Sequence, residues 1–190
     1  MGRFEGLSGN LWEVSRPYGY VTDTACRLTR VQKELDVLKA QHVDVFCFQE
    51  VTEATFGAVA SMLGENYQGA ISLHGIAYWA AYQQDPSHPV LNGNATFINK
   101  NKFDIVFATD VPSYPSDGTG NHALYVQCTL KDDCQVFHFM NVHLDGYRAK
   151  RRKRELTALL SIMFPSFSST DHTQVLMGDF NTSFKGNNLC

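Results

Sequence analysis

No stretch of the sequence approaches the roughly 20 consecutive apolar residues that cross a bilayer. Met1–Ser15 also lacks a basic segment leading into an apolar one, since Glu5 and Glu13 flank its short apolar patch. Both absences argue against a membrane span and a secretory leader, and set the expectation of an intracellular setting, cytoplasm or nucleus. Cysteine is sparse and unpaired in pattern. There are five, Cys26, Cys47, Cys128, Cys134 and Cys190, with no CxxC spacing, and Cys47 lies inside an apolar run. Buried or incidental thiols fit that pattern better than a disulfide framework or a zinc module. No internal repeat, low-complexity tract or long linker is present. Nor is charge of one sign: 16 Lys+Arg against 19 Asp+Glu leave a net charge of −3, which does not exclude a local nucleic-acid-binding patch.

What remains is the composition of a folded chain. Its apolar fraction of 44% and aromatic fraction of 12% exclude wholesale disorder, and 190 residues suit a single domain, 1–190. Phe4–Trp12 reads as a first strand and Arg16–Asp23, with Pro17 and Gly19, as a loop. Leu28, Val31, Leu35 and Leu38 recur at helical spacing in Ala25–Gln41, where Asp23 or Thr24 suits the cap. Val43–Phe48 (VDVFCF) is short and apolar on both sides, as a buried strand is. Glu53–Leu63 is helical again, through Phe56, Val59, Ala60 and Leu63. Six β-rich runs follow between Gly, Pro, Asn and Asp turns: Tyr67–Leu73, Ile76–Gln83, Asn94–Asn99, Asp104–Ala108, Ala123–Leu130 and Gln135–Val142. A helix from about Arg148 to Met163, with Leu156, Leu159, Leu160 and Met163 on one face, leads through a turn to a last strand, Gln174–Met177. Helices set against strand-rich runs predict an α/β (α+β) sandwich of two mostly antiparallel sheets.

Four strand ends carry polar residues, and a strand end holds a side chain on a rigid frame. Gln49-Glu50 follows VDVFCF. There Glu50 reads equally as a hard oxygen ligand for Mg²⁺ or as a residue of the next helix's first turn. Asn141-Val142-His143-Leu144-Asp145 closes another strand; a lone His such as His143 is more often structural than catalytic. Gly178-Asp179-Phe180-Asn181 puts Asp179 and Asn181 on one side of an extended segment, a carboxylate and an amide suited to orienting water beside a phosphate, although such residues also form Asx turns. Asn10, on the first strand, says little alone.

The order of these motifs, Asn, Gln-Glu, Asn-x-His-Leu, Gly-Asp-Phe-Asn, resembles the endonuclease/exonuclease/phosphatase superfamily, the deoxyribonuclease I-like fold, from about Phe4 to Thr182. The resemblance implies a four-layer sandwich of two sheets flanked by helices, and a Mg²⁺-dependent phosphoesterase (Mn²⁺ being an alternative ion) that uses activated water. It implies Glu50 and Asn10 as metal residues, and His143, Asp179 and Asn181 as catalytic ones. His143 would contact the scissile phosphate or assist the leaving group, Asp179 would orient or deprotonate the water, and Asn181 would bind phosphate. Leu91–Thr96 looks like the family's Gly-Asn-Ala strand start. Arg152, with Glu155 and Leu156, looks like its Arg-x-x-Gln-Leu helix, with Glu in place of Gln. On that likeness Asn94 and Arg152 are expected to bind substrate.

The family's further Asp and His, in a downstream Ser-Asp-His, have no counterpart before Cys190. Asp171-His172 precedes the Gly-Asp-Phe-Asn strand and is rejected on order. The expectation is a C-terminally truncated member of the fold, and its alternative function is an inactive fragment or phosphate-binding module. Arg148–Arg154 holds six cations in seven residues. It reads as a solvated helix face first and a nucleic-acid contact second, which tilts the substrate, some phosphate ester, toward nucleic acid. Tyr78, Trp79 and Tyr82 read as core, and the sequons at Asn94 and Asn181 as coincidences.

Overall fold

Val45-Phe46-Cys47-Phe48 is apolar on both faces because its strand has two apolar layers to fill. Phe46 and Phe48 pack under two helices, while Val45 and Cys47 face a second sheet. The structure, a computed structural model, describes residues 6–10, 24–76, 91–113, 122–133, 135–163 and 172–182, with backbone alone at 6–10, 24–27 and 76. Asp23, the Ile76–Gln83 run beyond Ile76, Tyr78, Trp79, Tyr82, Cys134, Cys190 and the side chains of Asn10 and Cys26 lie outside the described residues.

The strands are β1 (Gly6–Asn10), β2 (Val45–Thr52), β3 (Tyr67–Ile76), β4 (Leu91–Asn99), β5 (Phe103–Pro112), β6 (His122–Leu130), β7 (Val136–His143) and β8 (His172–Asp179). The helices are α1 (Thr24–Ala40), α2 (Glu53–Leu63) and α3 (Ala149–Met163). One sheet runs β1-β2-β4-β3 and the other β5-β6-β7-β8. Pairing is antiparallel except for β1–β2 and β7–β8.

Three apolar clusters separate four layers. Leu35 of α1 and Val59 and Leu63 of α2 bury against Phe46, Phe48, Val51, Ala95 and Phe97. Between the sheets lie Val45, Cys47 and Ile98 from one side and Leu124, Val126, Cys128, Phe137 and Phe139 from the other. Leu159 and Met163 of α3 cover Met140, Val142 and Leu144 on the outer face of the second sheet. The fully buried rings of Phe46, Phe97 and Phe139 each contribute about 1.5–3 kcal/mol over an exposed position. The expected sandwich of two mostly antiparallel sheets between helices is the observed fold.

Candidate active site

Alternation along each strand defines a row facing the opposite sheet. These rows are Val45-Cys47-Gln49 on β2, Ile98-Thr96-Asn94 on β4, Leu124 back to His122 on β6, Phe137-Phe139-Asn141-His143 on β7 and Val175-Met177-Asp179 on β8. Their inner members are the apolar core. Their outer members are polar, and the strand registers place them all at one end of the sandwich.

At that end β2 departs from the expected strand. It does not stop at Phe48 but continues to Thr52 through a bulge, because Phe48 pairs with Ala95 and Val51 with Gly93, leaving Gln49 and Glu50 opposite Asn94 alone. Parity changes across it: Phe48 and Val51 both face the helices. Glu50 takes φ +58°, a left-handed conformation rare for a residue with a Cβ. The first-turn reading of Glu50 is not what the structure shows. The cap of α2 is Thr52, whose Oγ1 accepts from the Thr55 N–H at 3.2 Å while Thr55 Oγ1 accepts from the Thr52 N–H at 2.8 Å.

Glu50 and His143 come from different sheets, and their Oε1 and Nε2 stand 3.8 Å apart. Burial pushes the His143 pKa below its ordinary value, and Asp179, its register partner on β8, pulls it partly back. At that length the approach of His143 to Glu50 is not a hydrogen bond.

Asp179 and Asn181 form the Asx turn that the sequence left open: the Asn181 N–H donates to Asp179 Oδ1 at 2.7 Å, with Asn181 at φ +49°. Asn181 Nδ2 reaches the Leu144 carbonyl at 2.7 Å, and the Leu144 N–H donates to the Asp179 carbonyl at 2.9 Å. The segments that follow β7 and β8 are thus laced together. Gly178 permits this approach, because a Cβ there would sit 2.0 Å from the Val142 carbonyl oxygen.

Asn94 is wholly buried, which leaves the sequon Asn94-Ala95-Thr96 no acceptor in the folded chain. Its Nδ2 donates to the carbonyls of His122 at 2.7 Å and Asn141 at 3.3 Å, while its buried Oδ1 has no partner among the described residues. Arg152 donates from Nη1 to the Asp145 carbonyl at 3.0 Å. Glu155, fully buried, accepts from the Asp145 N–H at 2.8 Å and from Arg151 Nε at 3.3 Å. Arg152 and Glu155 therefore hold the turn that follows His143. For Asp145 burial alone would raise the pKa, but N–H donors from Arg148 and Tyr147 and the charges of Arg151 and Arg148 together hold it below its ordinary value. Asn10 pairs in parallel register with Gln49, beside Glu50.

Sequence reasoning missed His74, Asp110 and His122, which lie at the same end. His122 Nδ1 contacts Asp110 Oδ2, Ser72 Oγ donates to Asp110 Oδ1, and the rings of His74 and His122 stack at 5.0 Å. Burial first, then the neighbouring His122, lowers the His74 pKa to about 4. All three are polar residues at or near the ends of the expected strands, His74 directly after Tyr67–Leu73, Asp110 two residues beyond Asp104–Ala108 and His122 directly before Ala123–Leu130, so the criterion that found the others reaches them too.

Comparison with solved structures shows the same fold. The mannosyl-6-phosphatase of Bacteroides thetaiotaomicron VPI-5482 is 18% identical with a TM-score of 0.71, covering 94% of this chain and 66% of its own. ANGEL2, a 2',3'-cyclic phosphatase, is 20% identical at 0.68, with 94% and 52% covered. The human Nocturnin catalytic domain with bound sulfate anion is 21% identical at 0.59, with 80% and 57% covered. This chain thus spans two thirds or less of each of them. No curated protein matches the sequence. Residues 12–187, which carry Glu50, His143, Asp179 and Asn181 in the order that drew attention to them, match the model of the Endonuclease/Exonuclease/phosphatase family, and to that family the chain belongs.

Proposed function

We propose that this site hydrolyses phosphate esters by activated water with a divalent ion, Mg²⁺ or in its place Mn²⁺. The observation that supports this most is the meeting of Glu50, His143 and Asp179, from three strands of two sheets, at one end of the sandwich. Glu50 and Asn10 are the residues to hold the ion. They are hard oxygen donors, as Mg²⁺ prefers one or two carboxylates with several waters, and the Glu50 side chain is 22% exposed and so reachable. Bound there, the ion would neutralise charge on the phosphate.

The chain's own residues supply the rest. Asp179, an acceptor, orients the water and takes its proton. His143 donates a hydrogen bond to a phosphate oxygen or to the leaving group. Asn181, fixed by its two bonds to the turn, presents its amide to phosphate. Asn94 and Arg152, the residues expected to bind substrate, also hold the frame by the backbone carbonyls they bond. Among phosphate esters, nucleic acid is favoured by the exposed Lys150, Lys153 and Arg154 on α3. An intracellular setting goes with this reading; no helix among the described residues is long and apolar enough to cross a membrane.

The test is hydrolysis of bis(para-nitrophenyl) phosphate by the full chain, with Mg²⁺, with EDTA and with Glu50→Ala. Turnover that disappears in both controls is the expected result. Unchanged turnover in Glu50→Ala would remove the metal assignment. A folded chain without turnover would favour the alternative, a phosphate-binding module of the same fold.

A further inference from the structure

Three metal-ligand side chains outside the set just described converge on the same end of the sandwich. His74 on β3, Asp110 on β5 and His122 on β6 each offer one ligand atom, and these atoms lie within 4.8 Å of one another. We propose that His74, Asp110 and His122 form a second metal site, separate from Glu50, that takes a borderline transition ion of the Zn²⁺ class.

The backbone aims these residues. On β3, His74 follows Ala70 and Ser72 on the row that faces the second sheet, and it is the extra residue of a bulge, since Leu73 pairs with Gly93 and Gly75 with Asn92. His122 and Asp110 are diagonal neighbours across the β5–β6 pair, where Asp110 faces Leu124 and Pro112 faces His122. The cluster therefore draws from both sheets.

The donor set decides the ion. Two imidazole nitrogens and one carboxylate oxygen suit Zn²⁺ and its neighbours, whereas Mg²⁺ favours oxygen alone. Three protein ligands leave a fourth position open, as at catalytic zinc sites. Ser72 Oγ already holds Asp110 Oδ1, the outer partner that orients a ligating carboxylate. Side chains 41% exposed at Asp110 and 23% at His122 give an ion its way in. Tetrahedral ligands at bonds of about 2.0–2.1 Å stand roughly 3.3 Å apart, so the more distant atoms close by up to about 1.5 Å while the His122–Asp110 contact opens, both within reach of side-chain rotation.

Binding of Zn²⁺ to the metal-free full chain, by titration calorimetry in excess Mg²⁺, tests this without any measure of turnover. One Zn²⁺ per chain is expected, kept in Glu50→Gln and weakened roughly 100-fold or more in His122→Gln or Asp110→Asn. Co²⁺ in the wild type should give ligand-field bands without a thiolate charge-transfer band, a readout that stands if a variant fails to fold. Absence of stoichiometric Zn²⁺ overturns the proposal. So does a site lost in Glu50→Gln, or one lost in His138→Gln, which would move it to the His138–His172 pair. Loss of phosphoesterase activity leaves this result untouched, and the reverse holds, so the two readings fail separately.

Discussion

Gln49 and Asn141 join the two sheets: Gln49 Nε2 donates to Asn141 Oδ1 at 2.6 Å, with both residues buried. Asn141 Nδ2 in turn donates to the carbonyls of Ala95 at 2.9 Å and Phe48 at 3.1 Å. One amide on β7 thereby satisfies β2 and β4, two residues before His143 on the same inward row. The Asn of Asn-x-His-Leu is architectural. Asn141→Leu removes the bonds to the Gln49 amide and to two carbonyls, and should cost about 3 kcal/mol in urea unfolding. The double variant Gln49→Leu/Asn141→Leu should cost less than the sum of the singles, because it removes both partners together.

Glu50 holds a conformation that its strand would not choose. Left-handed backbone at a residue with a Cβ costs about 1–2 kcal/mol, and Asn tolerates that region better than Glu. Glu50→Asn should therefore be at least as stable to heat as the wild type, while Mg²⁺-dependent turnover falls by about 10²-fold or more. A variant both less stable and fully active would contradict the assignment of strain to function.

Gly178 carries φ +138°, and no Cβ fits beneath the Val142 carbonyl. Gly178→Ala must push β8 away from β7, separating Asp179 from His143. A loss of at least about 3 kcal/mol follows, seen as a melting temperature about 10 °C lower. Unaltered melting would show that the strands part without cost.

His138 lies on the outer face of the second sheet, with Nδ1 2.6 Å from the Tyr125 hydroxyl and Nε2 2.8 Å from His172 Nδ1. Burial, then the charge of His172, lowers its pKa. A folded pKa below the unfolded value near 6.5 means that the unfolded chain takes up the proton first. The contribution is complete above about 6.5 and is lost as pH falls through the folded pKa. Urea midpoints should drop between about pH 7.5 and about pH 5, and drop less in His138→Gln. Some slope will persist, since His74 and His143 are shifted in the same direction.

Much of this was legible in the residues. VDVFCF announced a strand with two covered faces, and Leu159 and Met163 do bury as the helical spacing required. Rejecting Asp171-His172 as the family's pair agrees with where His172 sits, opening β8 with its ring against His138. What periodicity missed came from its interruptions. A bulge adds one residue and reverses which side chains face inward, so Glu50 reaches the site at a position that strict alternation sends elsewhere, whereas His74 lies on the inward row of Ala70 and Ser72. Glu155, singled out as standing where the family has Gln, follows a basic run yet is buried, because Arg151 and the Asp145 N–H complete its bonding.

The basic run on α3 divides by partner. Arg151 lies 3.3 Å from Glu155 and Arg152 holds the Asp145 carbonyl, so these two cations belong to the His143 turn. Lys150, Lys153 and Arg154 are exposed along the helix and line one open groove with Thr157, Ala158 and Ser161. If nucleic acid is the substrate, those three neutralise backbone phosphates. Binding should then weaken linearly in log Kd with log salt, and replacing all three by Gln should reduce the slope by about 2 for single strands. Replacing Arg152 should act on folding instead, lowering the urea midpoint through the Asp145 turn. An unchanged salt slope in the triple variant would leave that face to solvent and turn the choice of substrate toward a small phosphate ester.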